Sequence, residues 1–460
     1  MREDEMPFES IDPTTEERLA AFPALDGGGI DAALERARGA FDVWRRVPVA
    51  ERAERLLALA KLVERGKAAY GLLMTREMGK PLASAVAEAE KCAWVCRYYA
   101  EHGPAHLAPE RFESTGTHCW VEYHPLGAVL GIMPWNFPFW QAMRSAVPTV
   151  LAGNVFLLKH SPNVPQCAVA LEGLFSRAGF PEGVFQNVFI EIEDIPRVLD
   201  DRTVQAASLT GSVAAGSALA AEAGRRIKTT VLELGGSDPF IVMESADLDR
   251  AVATAVDARM WNNGQSCIAA KRMLVQSSIV DEFTARLIDR VSALQVGDPK
   301  EPEVEVGPLA RRDLRDTVAE QVEATVAAGA RVAAGGRVPD RPGWFYEPTV
   351  LTDVPDGSPA SDDEIFGPVA SIFPVADIDE AIERANATEF GLCSAIWTND
   401  PGERARAVRD LQAGGVFING MSASDPRVPF GGVKRSGYGR ELGPHAMREF
   451  VNVKTVWVGD

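Results

Sequence analysis

This chain predicts an α/β protein built from two successive parallel-sheet domains. Three features carry that reading: short apolar runs recur, each is followed by a helix-length segment, and the runs lack the polar alternation of half-exposed strands. Strands buried on both faces and joined by crossover helices form parallel sheets. Upstream of the first run, residues 31–70 carry a helical repeat, with Leu56, Leu59 and Val63 on one face and Glu51, Arg52, Glu54 and Arg55 on the other. A second helix spans about 82–100, and both helices read as layers packed over a sheet. Between 112 and 126, Phe112, Thr115, Thr117, Cys119, Val121 and Tyr123 mark a strand.

The alternating series then begins. Runs at 127–133 (GAVLGIM), 154–159 (NVFLLK), 184–190 (VFQNVFI), 204–209 (VQAASL) and 228–233 (KTTVLE) read as strands, with helices from about 138, 163 and 213. A second series starts near 239 (PFIVM) and continues to about 420. Gly- and Pro-rich joints at 297–308 and 334–348 read as surface connections, and Gly437-Tyr438-Gly439 as a turn. The tail from Phe450 to Val458 alternates like a half-buried strand. A strand at a chain end exposes an edge that needs a cover, and a neighbouring subunit is one such cover.

Composition narrows the function. The 460 residues, 46% hydrophobic and 24% charged, suit two or three domains, each with its own core. A formal charge of −18 repels phosphate backbones and anionic lipid, so neither nucleic acid nor a membrane surface is expected as a partner. No stretch approaches the roughly 18 apolar residues of a membrane helix. The acidic start, Met1-Arg2-Glu3-Asp4-Glu5, is unlike a secretory signal. Six cysteines are too sparse for a disulfide framework, and Cys92 and Cys96 read as buried thiols. The six histidines show no metal-pair spacing. A soluble, cytoplasmic, metal-free protein is expected.

Four segments carry candidate chemistry. No G-x-G-x-x-G follows a strand, but Leu209-Thr210-Gly211-Ser212-Val213 does. Gly211 permits close backbone approach, and Ser212 caps a helix whose free N–H groups suit a phosphate, although a plain cap looks the same. Lys159 ends a strand on the side where parallel sheets bind ligands, which suits a ribose or phosphate as well as a solvated lysine. Glu233 closes another strand before Gly235-Gly236. In Asn262-Asn263-Gly264-Gln265-Ser266-Cys267, small and polar neighbours leave the Cys267 sulfur reachable, as a nucleophile must be. No histidine is placed by sequence to make a Cys–His pair.

Pro134-Trp135-Asn136-Phe137-Pro138, Leu232-Glu233-Leu234-Gly235-Gly236, Gly264-Gln265-Ser266-Cys267, Glu364-Ile365-Phe366-Gly367-Pro368 and Pro429-Phe430-Gly431-Gly432 together resemble the aldehyde dehydrogenase superfamily. The likeness runs in family order from Glu77-Met78-Gly79-Lys80-Pro81 to the tail strand. It implies a Rossmann-type NAD(P)-binding domain (1–111 and 127–232), a catalytic domain (233–440), and a small bridging oligomerisation sheet (112–126 and 441–460) in a homodimer or homotetramer. It also implies Cys267 as the nucleophile that forms a thiohemiacetal and then a thioester. Asn136 and the Cys267 N–H would make the oxyanion hole, where losing one donor typically costs on the order of 100- to 1000-fold in rate. Glu233 would be the general base for the hydrolytic water. Lys159 and Glu364 would bind ribose, Gly211 and Ser212 the pyrophosphate, Phe366 would pack near the nicotinamide, and Trp135 would line the cofactor channel.

Trp140 and Arg144 follow Asn136 by one and two helical turns and share its face. A guanidinium suits an aldehyde carrying a carboxylate, although an arginine answering a structural acid reads the same. With Ser424 these positions resemble the succinate-semialdehyde dehydrogenase branch, which implies oxidation of succinate semialdehyde to succinate. Glutarate semialdehyde or another small aldehyde is the alternative. That branch often carries a further arginine six residues before the nucleophile. Here the position is Trp261, and Arg427 is a possible substitute. Three residues after Lys159 stands Pro162 rather than an acid, so NADP should be accepted and NAD is not excluded. A CoA-acylating enzyme, with a thiol in place of water, or a non-catalytic nucleotide-binding relative would share much of this pattern. Glu233 speaks against the first and the intact Cys267, Glu233 and Asn136 against the second.

Overall fold

The computed structural model describes residues 6–459, so the acidic start lies outside the described residues. A six-stranded sheet runs, edge to edge, Gly437–Tyr438, Thr229–Glu233, Val204–Thr210, Ala128–Met133, Val155–His160 and Phe185–Asn187. All neighbours are parallel except the pair made by Gly437–Tyr438. The chain builds outward from Ala128–Met133 to Phe185–Asn187, then returns to the other side of Ala128–Met133 through Val204–Thr210. That reversal makes a switch point, and a crevice for ligands opens beyond the carboxyl ends of the two strands that flank it. Met133 leads directly into Pro134-Trp135-Asn136, and Thr210 into Gly211-Ser212.

The helix Pro138–Leu151 packs against this sheet and is buried along its whole length. Its aromatic and aliphatic residues face the helices Val49–Met78 and Leu82–His106, whose apolar stripes join the same core. Burial on every side means that a charged residue in Pro138–Leu151 must find a partner or line a cavity.

A seven-stranded sheet runs Arg331–Ala334, Thr349–Thr352, Val369–Val375, Arg272–Gln276, Pro239–Val242, Cys393–Trp397 and Gly415–Ile418. Only Arg331–Ala334 is antiparallel. The third sheet is antiparallel: Val451–Val458 pairs along its length with His118–Pro125, which also pairs with Glu110–Arg111. Val453, Trp457 and Val458 of the tail strand are exposed. Among the described residues no helix is long and apolar enough to cross a membrane.

Several elements differ from the sequence reading. The helical stretch at 31–70 is two helices, Gly27–Trp44 and Val49–Met78, because Pro48 cannot continue the first and instead opens the second. The hairpin Phe8–Ile11 with Arg18–Phe22 was not expected. Gly437–Tyr438 is not a free turn. It forms an edge strand opposite Glu233 and Leu232, and a Cβ on Gly437 would meet the Leu232 carbonyl oxygen at 1.9 Å. The joint at 334–348 is only partly a surface connection: Trp344, Phe345 and Tyr346 are buried, and Trp344 bonds through its backbone to Pro13 and Leu309. Cys92 and Cys96 are buried free thiols, as expected.

Candidate active site

After the helix Leu248–Met260 and the intervening Trp261 come three successive left-handed residues, Asn262 (φ 57°), Asn263 (φ 58°) and Gly264 (φ 72°). Asparagine and glycine tolerate this conformation best, which is why they stand here. The strained turn is held from all sides. The Asn263 amide donates to the carbonyls of Gly79 (2.8 Å) and Pro308 (2.9 Å), and its oxygen accepts from the Gly307 N–H (2.8 Å). The buried Arg259 donates to the carbonyls of Gly264 (3.1 Å), Ile365 (2.9 Å), Val369 (2.5 Å) and Gly367, tying the turn to the Glu364–Pro368 segment. Beyond the turn, Lys271 donates to the carbonyls of Ser266 (2.9 Å) and Cys267 (2.7 Å) and pairs with Glu364 (3.3 Å). Cys267 is thus fixed through its carbonyl. Its N–H has no partner among the described residues.

Two cavities meet at Cys267. One, of about 210 Å³, is lined by Trp135, Asn136, Thr210, Gly211, Ser212, Leu234, Gly235, Glu364 and Phe366. It occupies the switch-point crevice. Trp135 and Phe366 meet edge to face at 5.7 Å, and a Cβ on Gly235 would stand 2.5 Å from a Glu364 carboxylate oxygen, so the backbone lies bare there. The Ser212 hydroxyl caps the helix Val213–Arg225 through the Ala215 N–H at 3.2 Å. The other cavity, of about 130 Å³, is lined by Glu88, Lys91, Phe137, Trp140, Arg144, Trp261, Ser266, Ser424 and Phe430. Cys267 and Gln141 border both. The Asn136 amide donates to the Gln265 carbonyl at 3.1 Å, which orients it toward the cysteine loop.

Glu233 is 2% exposed, and neither carboxylate oxygen has a partner among the described residues. Burial holds its pKa well above the ordinary 4.5. Arg144 opposes that shift and Glu441 adds to it. Its backbone neighbour Gly431 has no room for a side chain, since a Cβ would stand 2.6 Å from Glu233 Oε1. Burial also pushes the Cys267 thiol up to about 12, against the pull of Lys271 and Arg144. At rest the cysteine is therefore a neutral thiol. Arg144 is fully buried, forms an ion pair with Glu441 and lies over the Phe430 ring at 4.9 Å.

A model of the aldehyde dehydrogenase family matches residues 1–456. The chain belongs to that family. A succinate-semialdehyde dehydrogenase of Mycobacterium tuberculosis named for NADP(+) is 52% identical over 456 residues, 98% of this chain and 100% of the relative. One from Mycobacterium avium is 52% identical over 458 residues, 99% of this chain and 97% of the relative. Among solved structures, Gox0499 superposes with a TM-score of 0.97 at 38% identity over 98% of this chain and 99% of its own. Succinic semialdehyde dehydrogenase from Streptococcus pyogenes, in complex with NADP+, gives 0.96 at 34% identity over 98% and 100%. The aldehyde dehydrogenase fold read from the motifs is the fold of this chain.

Within this aldehyde dehydrogenase the structure gathers most of the residues singled out from sequence. Cys267, Asn136, Trp135, Gly211, Ser212, Glu364 and Phe366 border the switch-point cavity, and Trp140, Arg144 and Ser424 the other. Glu233 and Lys159 line neither of these cavities, and Lys159 is buried at the end of Val155–His160. Its nearby charges are Glu191 and Glu193, while burial lowers its pKa. Arg427 does not stand in for the charge absent at Trp261. It is exposed, bound to Asp425 (Nε to Oδ1 2.9 Å), and lies over Trp94 at 5.3 Å. The sequence reading missed Gln141, Glu441 and Lys91. The helix carrying Lys91 is more than a packing layer, because one of its faces walls the smaller cavity.

Proposed function

We propose that this aldehyde dehydrogenase oxidises succinate semialdehyde to succinate with NADP as the favoured acceptor and NAD accepted. The observation that carries the reading is the position of Cys267 between two cavities, one suited to a dinucleotide and one small and cationic. The lining of the switch-point cavity suits part of a nicotinamide dinucleotide: the helix N-terminus at Ser212 would meet its phosphates, Glu364 its ribose, and Trp135 and Phe366 its apolar ring. Lys159 would hold the second ribose from the strand end. Position 162, three residues on, is Pro162 rather than an acid that would repel a 2′-phosphate, and the relatives named for NADP point the same way. A bound dinucleotide supplies an acceptor for the hydride that leaves the substrate carbon.

The protein's own groups do the rest. The Cys267 sulfur adds to the aldehyde carbon, and its proton passes to solvent, directly or through Glu233, which is ionised again before hydrolysis. The negative oxygen is held by the Asn136 amide and the Cys267 N–H. Once hydride departs, Cys267 carries the acyl group as a thioester. Glu233, unpartnered and in a site where its pKa is raised, takes a proton from water, which attacks the thioester. The carbon–sulfur bond breaks, succinate leaves, and the thiol regains a proton. Trp140, Arg144 and Ser424 surround the substrate chain. The cavity is well below the roughly 300 Å³ of sites for drug-sized ligands, which suits a short aldehyde.

Steady-state kinetics on succinate semialdehyde, glutarate semialdehyde and butanal, each with NADP and NAD, test this reading. The highest kcat/KM is expected for succinate semialdehyde with NADP. Preference for butanal, or no acyl adduct on Cys267 by intact mass, would overturn it.

The six-stranded sheet with its helices is proposed as the cofactor domain, the seven-stranded sheet as the catalytic domain, and the three-stranded sheet as the bridge between subunits in a cytoplasmic homodimer or homotetramer. The exposed Val453, Trp457 and Val458 on the tail strand support an oligomer. Light scattering after size exclusion is expected to give at least twice 49.6 kDa, and a monomer of 49.6 kDa would refute it.

A further inference from the structure

The smaller cavity contains an ammonium group that forms no ion pair among the described residues. Lys91, on the helix Leu82–His106, reaches into it and donates to the Ser424 hydroxyl at 2.8 Å while lying 4.4 Å over the Trp140 ring. The two acids in its field are committed elsewhere. Glu88 pairs with the buried Lys80 and accepts the N–H groups of Phe139 and Trp140, both at 2.9 Å, while Asp425 is held by Arg427. Burial, with the charge of Arg144 nearby, pushes the Lys91 ammonium down to about 8. A half-buried cation without an acid is costly, and such a cost is retained where a ligand anion removes it. Arg144, which lines the same cavity, already has Glu441. Trp261 adds a ring against Phe137 but no charge.

We propose that Lys91, with the Ser424 hydroxyl beside it, is the specificity-determining residue that binds the substrate's carboxylate. This rests on the reading above that the substrate is a short aldehyde acid. An ammonium has three N–H bonds. One is on Ser424 and one faces the Trp140 ring, which leaves the third for a carboxylate oxygen. Ser424 accepts from Lys91, so its own O–H is free to donate to the second oxygen. The anion would then share with Cys267 a cavity of about 130 Å³, which has room for only a short chain.

The test compares kcat/KM for succinate semialdehyde and for butanal, an uncharged aldehyde of the same carbon number, with NADP. The ratio of the two values is expected to fall at least about 30-fold in Lys91→Met and to recover most of that loss in Lys91→Arg. Because both values come from one sample, partial unfolding cancels. A ratio within threefold of wild type in Lys91→Met overturns the assignment of Lys91 and leaves the proposed reaction standing. Wild-type preference for butanal overturns the reaction instead. In the unmodified enzyme, saturating succinate is expected to slow acetylation of Lys91 by acetic anhydride, read by peptide mass spectrometry, whereas succinamide is not. Equal labelling with both compounds overturns the proposal even if no variant folds.

Discussion

Glu233→Gln is expected to lower kcat by about 100- to 10,000-fold and at the same time to raise the melting temperature at neutral pH. The first effect follows from losing the proposed general base for the hydrolytic water. The second follows from burial. The Glu233 carboxyl is enclosed with both oxygens unpartnered, and its pKa is held well above the 4.5 of an open chain. Above pH 4.5 the unfolded chain releases that proton freely and the folded one does not, so rising pH favours unfolding through this group. Glutamine does not titrate and removes that difference. The gain in melting temperature should therefore shrink as pH falls toward 4.5, where the unfolded carboxyl is also protonated. A variant that is inactive but no more stable than wild type across pH 5–8 would show that Glu233 is not strained by its site. With burial pushing the Cys267 thiol up to about 12, wild-type kcat/KM is expected to climb from neutral to alkaline pH in a pH–rate profile. Activated catalytic groups commonly cost stability in this way.

The parts of this architecture legible in sequence were those fixed by local pattern. Strands such as Val155–His160 are buried on both faces, so every residue is apolar until the chain reaches the ligand side at Lys159. Cys267, Glu233, Asn136, Glu364 and Gly211 sit at strand ends or in turns whose neighbours are constrained by the backbone, and each constraint left a short motif. What escaped notice depends on contacts distant in the chain. Gly437–Tyr438 is two residues long and becomes a strand only because the edge at Leu232 and Glu233 is open to it. The joint at 334–348 did carry a signal in Trp344-Phe345-Tyr346, three aromatics that are costly to leave in water. Lys91 reads locally as a charged residue on an amphipathic helix. Only folding brings Ser424 to it across 333 positions of sequence, and only folding reveals that its neighbouring acids are occupied. Glu441 is hidden for the same reason, since the arginine it answers lies on a distant helix.

That pairing sets the second large expected effect. Arg144→Met alone should destabilise the protein by about 3–5 kcal/mol in urea unfolding, because it strands Glu441 as a buried unpaired acid next to Glu233. Arg144→Met combined with Glu441→Leu removes both charges and is expected to return most of that stability, with a coupling energy well above 1 kcal/mol. Equal destabilisation in the single and double variants would mean that the ion pair is not what keeps Arg144 in place. The cycle also separates two roles that the single variant confounds. In Arg144→Met the uncompensated Glu441 charge repels an acidic aldehyde and weakens its turnover, whether or not Arg144 ever touches the substrate. The double variant leaves the net charge of that wall unchanged and Lys91 in position. If the carboxylate is held by Lys91, the double variant should keep most of its preference for succinate semialdehyde over butanal. Loss of that preference in a stably folded double variant would assign the carboxylate contact to Arg144.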